Sequence, residues 1–149
     1  MRILLIDNEP IIRSILKDLI ENWSKGLHQI EEADGVVSGI NQISKFSPDI
    51  VFLDVEMNDG TGFDLLSQLH KPKFQLIFTT AHNQYAIQAF KFSAIDYLLK
   101  PIDPDELKMA IDKLKDAIEK ETIEEKFNTL FANLQSPEKE AQKIILKTT

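Results

Sequence analysis

Asp7, Glu9, Asp54 and Lys100 are the residues of this sequence best placed to do chemistry together. Asp54 closes the wholly apolar run Ile50-Val51-Phe52-Leu53, Asp7 closes Ile3-Leu4-Leu5-Ile6, and Lys100 follows Tyr97-Leu98-Leu99. Runs of this kind suit strands buried on both faces in a parallel sheet. Open α/β sheets put their sites outside the carboxyl ends of such strands. Carboxylates within about 4 Å repel by roughly 4 kcal/mol at an effective dielectric of about 20, equivalent to roughly three pKa units. A hard divalent cation removes that conflict, and a few oxygens with open water positions suit Mg2+ better than a full calcium cage. A lysine on the same rim adds the positive charge that a tetrahedral oxyanion needs. Together these groups suit an aspartyl-phosphate, with the carboxylate as nucleophile and the metal stabilising the transferring phosphoryl group. Alone, Asp7 or Lys100 would read as a helix cap or a solvated strand end; three such groups at strand mouths favour a site.

The elements that must position them alternate along the chain. Strands are expected at about 2–6, 28–33 (the weakest, and an edge), 50–54, 76–79 and 96–99. Helical spacing joins Ile11, Ile12, Ile15, Leu16 and Leu19 after Pro10, then Val36, Val37, Ile40, Ile43 and Phe46 before Ser47-Pro48. Further helices are expected over about 62–69, over about 84–93, and from Pro104 through Leu107, Ile111, Leu114 and Ile118. Alternation with short links implies right-handed crossovers, a parallel sheet and helices on both of its faces.

After Ile118 the apolar phase breaks across Glu119-Lys120-Glu121-Thr122, and a second stripe follows at Ile123, Phe127, Leu130, Phe131 and Leu134. Residues 122–135 thus read as an amphipathic extension or a separate helix, ended by Ser136-Pro137. The stripe either folds back on the same domain or meets a partner or a following domain. Ile144-Ile145-Leu146 resembles a strand cut off before it could pair.

The 149 residues suffice for one domain plus an appendage. Hydrophobic residues make up 43% and charged residues 28%, a globular balance. No apolar stretch spans a bilayer, so no membrane partner is expected. Zero cysteines exclude a disulfide framework and a thiolate zinc site. A cytoplasmic location is expected. A net charge of −7 argues against nucleic-acid binding by these residues themselves.

Thr79 and Thr80 point in opposite directions along their strand, and Thr80, nearer its carboxyl end, is better placed to face the site. Tyr97 reads first as half-buried packing, with the option of moving in concert with Thr80. Since X-Pro bonds are cis in only about 5% of folded cases, spacing alone does not assign a cis bond at Lys100-Pro101. His28, His70 and His82 share no metal-ligand spacing, and only His82, two residues after Thr80, comes near the site.

Over roughly residues 1–120 the chain resembles the receiver domain of two-component response regulators. The resemblance rests on Asp7-Asn8-Glu9-Pro10, Leu53-Asp54-Val55-Glu56-Met57, Thr80-Ala81 and Lys100-Pro101. It implies a flavodoxin-like (CheY-like) doubly wound α/β fold, a five-stranded parallel sheet in the order 2-1-3-4-5 with an extended C-terminal helix. It also implies that Asp54 accepts phosphate from a sensor histidine kinase. Mg2+ would then sit on Asp7, Asn8, Asp54 and the Glu56 carbonyl, Thr80 and Tyr97 would form a switch pair, and Lys100 would contact the phosphoryl group beside a cis Pro101. The segments from Phe78 to His82 and from Ala94 to Pro101 look most like the LytTR (LytR/AlgR) branch, in which a β-rich DNA-binding domain follows the receiver. Residues 121–140 would then be a helical linker, and 141–149, with Lys143-Ile144-Ile145-Leu146-Lys147, the start of a truncated DNA-binding domain. DNA would be bound only through that missing domain, and phosphorylation would pair two chains through the helix near 84–93, the strand at 96–99 and the helix after Pro104. Two departures stand out. Asn8 replaces the second acid usual at the end of the first strand, and Asn58 stands where a proline often follows the methionine.

Rival readings are weaker. A haloacid-dehalogenase-like Mg2+-dependent phosphatase also uses a strand-end aspartate, but wants Asp-x-Asp on its first strand, whereas Asp54-Val55-Glu56 lies on the third. A flavodoxin-like FMN binder would need a hydroxyl- and glycine-rich phosphate loop after strand one, and none is present. Fold alone does not separate these. The chain is expected to be a switch rather than an enzyme with turnover.

Overall fold

A computed structural model describes residues 1–24, 28–92 and 94–134. The chain divides into two units, Met1–Leu114 and Lys115–Thr149. In chain order the elements are β1 (Arg2–Ile6), α1 (Pro10–Ser24), β2 (Gln29–Ala33), α2 (Val36–Phe46), β3 (Ile50–Asp54), β4 (Glu56–Met57), β5 (Gly60–Thr61), α3 (Gly62–Ser67), β6 (Gln75–Thr80), a 3-10 turn at Asn83–Tyr85, α4 (Ala86–Lys91), β7 (Asp96–Leu99) and α5 (Pro104–Asn133). The main sheet runs β2-β1-β3-β6-β7, all parallel, which is the expected 2-1-3-4-5 order.

Every residue of the central strand β3 is buried, as its continuous apolar run requires. The edge strand β2 buries only Ala33, which is why its sequence signal was weak. One apolar cluster joins Leu4, Ile6, Val51, Leu53, Leu76 and Phe78 to Val36, Phe63, Leu65 and Ala89 from α2, α3 and α4. By strand alternation Ile3, Leu5, Phe52 and Ile77 face the other way, where α1 and α5 bring the buried Leu16, Ile20, Leu107 and Leu114. Each such side chain contributes roughly 1.5–3 kcal/mol when fully buried. The site thus stands on a rigid base.

Register lines up the strand ends. Ile6 pairs with Leu53, Asp54 with Thr79, and Thr80 with Leu99. Asp7, Asp54, Thr80 and Lys100 therefore emerge in one row. The stretch after β3 folds into a small antiparallel hairpin of β4 and β5. Its Gly60 adopts φ 144°, which a side chain would strain. Thr61 then caps α3: its Oγ1 accepts the Asp64 N–H at 3.0 Å, and its own N–H donates to Asp64 Oδ2 at 2.9 Å.

α3 stops at Ser67, short of the expected 69, and the helix expected over 84–93 starts as a 3-10 turn and is helical only over Ala86–Lys91. Ser47, at φ 48°, ends α2 as expected from Ser47-Pro48. In the second unit helix α5 runs unbroken to Asn133, so the stripe belongs to an extension rather than a separate helix. Ile123, Phe127, Leu130, Phe131 and Leu134 are exposed there, with the Phe127 and Phe131 rings stacked at 6.0 Å. The stop at Ser136-Pro137 and the strand at Ile144-Ile145-Leu146 lie outside the described residues. Among the described residues no helix is long and apolar enough to cross a membrane.

Candidate functional site

Asp54 is 2% exposed and its two oxygens differ. Oδ1 accepts the Glu56 N–H at 3.3 Å and lies 3.5 Å from Lys100 Nζ. Oδ2 is buried with no hydrogen-bond partner among the described residues. Such an orphan is costly, about 1–3 kcal/mol or more for a charged group. Asp54 lines a cleft of about 310 Å3 together with Asn8, Glu9, Glu56, Asn58, Thr80 and Lys100, among others.

Asp7, also buried, stands behind this cleft. Its Oδ2 pairs with Lys100 Nζ at 2.9 Å and its Oδ1 accepts the Glu9 N–H at 2.8 Å. Arg13, which the sequence did not single out, donates through Nη1 to the Asp7 carbonyl at 2.6 Å and pairs through Nε with Glu32 at 3.0 Å. Lys100 Nζ also lies 3.9 Å from Glu9 Oε1. The ammonium thus sits between the two buried aspartates and stands in for the cation that both carboxylates require.

The electrostatics follow from this geometry. Burial raises the Asp54 carboxyl, and the Asp7 charge raises it further; Lys100 and the Glu56 N–H oppose them, and the balance lies at about 7. Burial by itself would lower the Lys100 ammonium, but the hydrogen bond to Asp7 and the charges of Asp54, Asp7 and Glu9 outweigh it and move it upward. The resting site holds a carboxyl poised near neutrality beside a lysine held firmly as a cation.

Thr80 is buried, lines the cleft, and accepts the His82 N–H on Oγ1 at 3.2 Å. Tyr97 is half-buried with its hydroxyl donating to the His82 carbonyl, and burial raises its phenol. Thr80 and Tyr97 thus engage the same residue, His82, through its N–H and its carbonyl. The Lys100–Pro101 peptide is cis, and the Lys100 N–H donates to the Thr80 carbonyl at 2.8 Å. Strand β7 thereby delivers Lys100 to the row.

Glu56 sends its side chain across the mouth. Its Oε1 accepts from the Tyr85 hydroxyl at 2.6 Å, and His82 Nε2 lies 3.4 Å from its Oε2. Tyr85 is a residue that sequence reasoning missed. Among the described residues no three His, Cys, Asp or Glu side chains form a group able to hold a metal. The Asp54 carboxylate, with Asn8 and Glu56 beside it in the cleft lining, offers the oxygen chemistry that suits a hard ion keeping several waters. Asn8 Nδ2 donates to Asn58 Oδ1 at 3.4 Å, so the two departures noted in the sequence touch each other.

Residues 3–112 match the response regulator receiver domain family. The chain is 39% identical over 117 residues to the sensory transduction protein LytT of Bacillus anthracis, covering 77% of this chain and 47% of that protein. It spans about half the length of the curated relatives it matches. Among solved structures it is similar to a CheY-like receiver domain protein of Methanospirillum hungatei JF-1, with a TM-score of 0.71 and 26% identity over 80% of this chain and 97% of that one. It is also similar to the response regulator TrrA of Thermotoga maritima in complex with Mg(2+)-BeF, with a TM-score of 0.65 and 31% identity over 76% of this chain and 97% of that one.

Proposed function

Since the chain belongs to the response regulator receiver domain family, we propose that it takes a phosphoryl group onto Asp54 from a sensor histidine kinase and uses it to switch a transcriptional output. The observation that carries this reading is Asp54, a buried residue in the lining of the cleft whose Oδ2 has no hydrogen-bond partner among the described residues. A carboxylate oxygen left without a partner is available to act as the nucleophile. Lys100, 3.5 Å from the other oxygen, is within reach of the charge that develops on the transferred group. Mg2+, when bound by Asp7, Asn8, Asp54 and the Glu56 carbonyl, would supply Lewis-acid stabilisation of that charge. The role of the chain's own residues is positional: Lys100 holds the two aspartates together, and Arg13 and the Glu9 N–H fix Asp7.

Thr80 is the group that would follow the phosphoryl oxygens, and Tyr97 the partner that responds through the His82 turn. The receiver would comprise 1–120, with 121–140 as linker and 141–149 opening a DNA-binding domain of LytTR type. The likeness to sensory transduction proteins LytT supports a signalling role; on our reading the protein is cytoplasmic and acts on transcription by binding DNA through that further domain. A groove of about 460 Å3 beside α4, β7 and α5, with Leu99 and Met109 exposed, supports pairing of two chains there.

Intact mass spectrometry after acetyl phosphate and Mg2+ tests the central step. One phosphoryl group is expected on the wild type and none on Asp54→Ala; equal labelling of both would sink the reading. Beryllofluoride should raise the dimer fraction in sedimentation, and no change would remove the pairing claim.

A further inference from the structure

The mouth of the cleft has two rims. One is the hairpin after β3, with Glu56 and Asn58; the other is the end of β6, with Thr80 and Ala81, and leads on to His82. The Tyr85 hydroxyl reaches from the second rim to Glu56 on the first at 2.6 Å, and His82 Nε2 lies 3.4 Å from the same carboxylate. Holding a glutamate side chain in one conformation costs rotamer freedom, more than a typical neutral hydrogen bond gains. Here the donor is fixed beforehand. The Tyr85 ring is half-buried, 6.0 Å from the Phe63 ring and edge-on to His82 at 6.4 Å, so little of its freedom remains to be lost. The hydrogen bond is also charge-assisted, which roughly doubles its strength. The balance favours a standing bridge.

We infer that Tyr85, acting through Glu56, is a positioning residue that holds a bridge across the mouth and so restricts the entry of water and of small phosphoryl donors to Asp54. This rests on Asp54 being the phosphoryl acceptor. In hydrolysis a water oxygen bonds to phosphorus as the bond from phosphorus to the Asp54 oxygen breaks. The bonding pair returns to the carboxylate, a water proton passes to solvent, and inorganic phosphate leaves. The bridge lies across the approach of that water.

The test follows gain and loss of the phosphoryl group by intact mass on the whole chain with acetyl phosphate and Mg2+. Tyr85→Phe keeps the ring and removes the hydroxyl, while Glu56→Ala truncates an exposed side chain. Each is expected to raise both the rate of gain and the rate of loss about threefold or more, a parallel rise that a folding defect does not produce. The double variant should be no faster than Glu56→Ala alone, because Tyr85 acts through Glu56. Tyr85→Phe rates within about twofold of wild type, or a double variant faster by the full Tyr85→Phe factor, would overturn the bridge. A wild type that gains no mass removes the acceptor reading and the bridge together. Labelling lost in Asp54→Ala but unmoved by Tyr85→Phe removes the bridge alone.

Discussion

Asn8 and Asn58 meet across the rim of the acceptor cleft, the Asn8 amide donating to Asn58 Oδ1 at 3.4 Å. That bond is long and exposed, so it contributes little. Its significance is what it replaces: a carboxylate at position 8 would add a full charge to the oxygens proposed to hold Mg2+. Asn8→Asp is therefore expected to tighten Mg2+ binding about tenfold, or about 1.4 kcal/mol. Calorimetric titration of both proteins checks this, and equal affinities would sink the idea.

The Asp54 carboxyl gives a pH dependence with a definite sign. Its folded value of about 7 lies above the ordinary 3.8, so its contribution to stability is intact below 3.8 and lost as pH rises through 7. Asp54→Asn should thus stabilise the metal-free protein at pH 8, by about 1 kcal/mol or roughly 3 °C in Tm, and leave it unchanged near pH 4. Thermal melts at the two pH values decide. A variant less stable than wild type at pH 8 would contradict the carboxyl's raised position.

Lys100 holds two buried carboxylates at once. Removing one partner of a buried charge cluster costs about 3–5 kcal/mol. Lys100→Met should lose stability of that order at pH 8 without metal, and Mg2+ should restore more of it than it adds to the wild type, because metal and ammonium compete for the same oxygens. Melts with and without Mg2+ measure the difference, and an equal metal response in both proteins would rule out the competition.

Gly62 packs where no side chain fits. A Cβ there would lie 2.6 Å from the Asp54 carbonyl oxygen and 3.0 Å from Leu53 Cγ, while its N–H donates to the Val55 carbonyl at 2.8 Å. Gly62→Ala should cost about 2 kcal/mol through overpacking and move the Asp54 carboxyl resonance in NMR spectra. An unshifted resonance would mean that the strand end yields without disturbing the acceptor.

Much of this site could be read from the chain because strand ends are written locally. Four apolar residues followed by Asp54 give both a buried strand and the position of its mouth, and the register of β1, β3, β6 and β7 then sets Asp7, Asp54, Thr80 and Lys100 in one row. Tyr85 could not be found that way. Its proposed role rests on a contact with Glu56 across 29 positions, and an aromatic residue inside the helix expected over 84–93 reads equally well as packing. Arg13 was hidden for a similar reason, since it donates to a backbone carbonyl rather than to a charged partner in the motif. The length of α4 was misjudged because Asn83-Gln84-Tyr85 winds into a tighter turn before the helix proper.

The idle oxygen of Asp54 carries a last consequence. A mouth relaxed to its lowest energy would have that atom capped by a donor, and on the proposed role of Asp54 it would then be deaf. Sensitivity to the signal and thermal robustness therefore pull in opposite directions at this one atom. Screens that select this domain for heat resistance should accumulate changes around the cleft that silence it, while gains distributed over β2 or the outer face of α1 should leave its hearing intact.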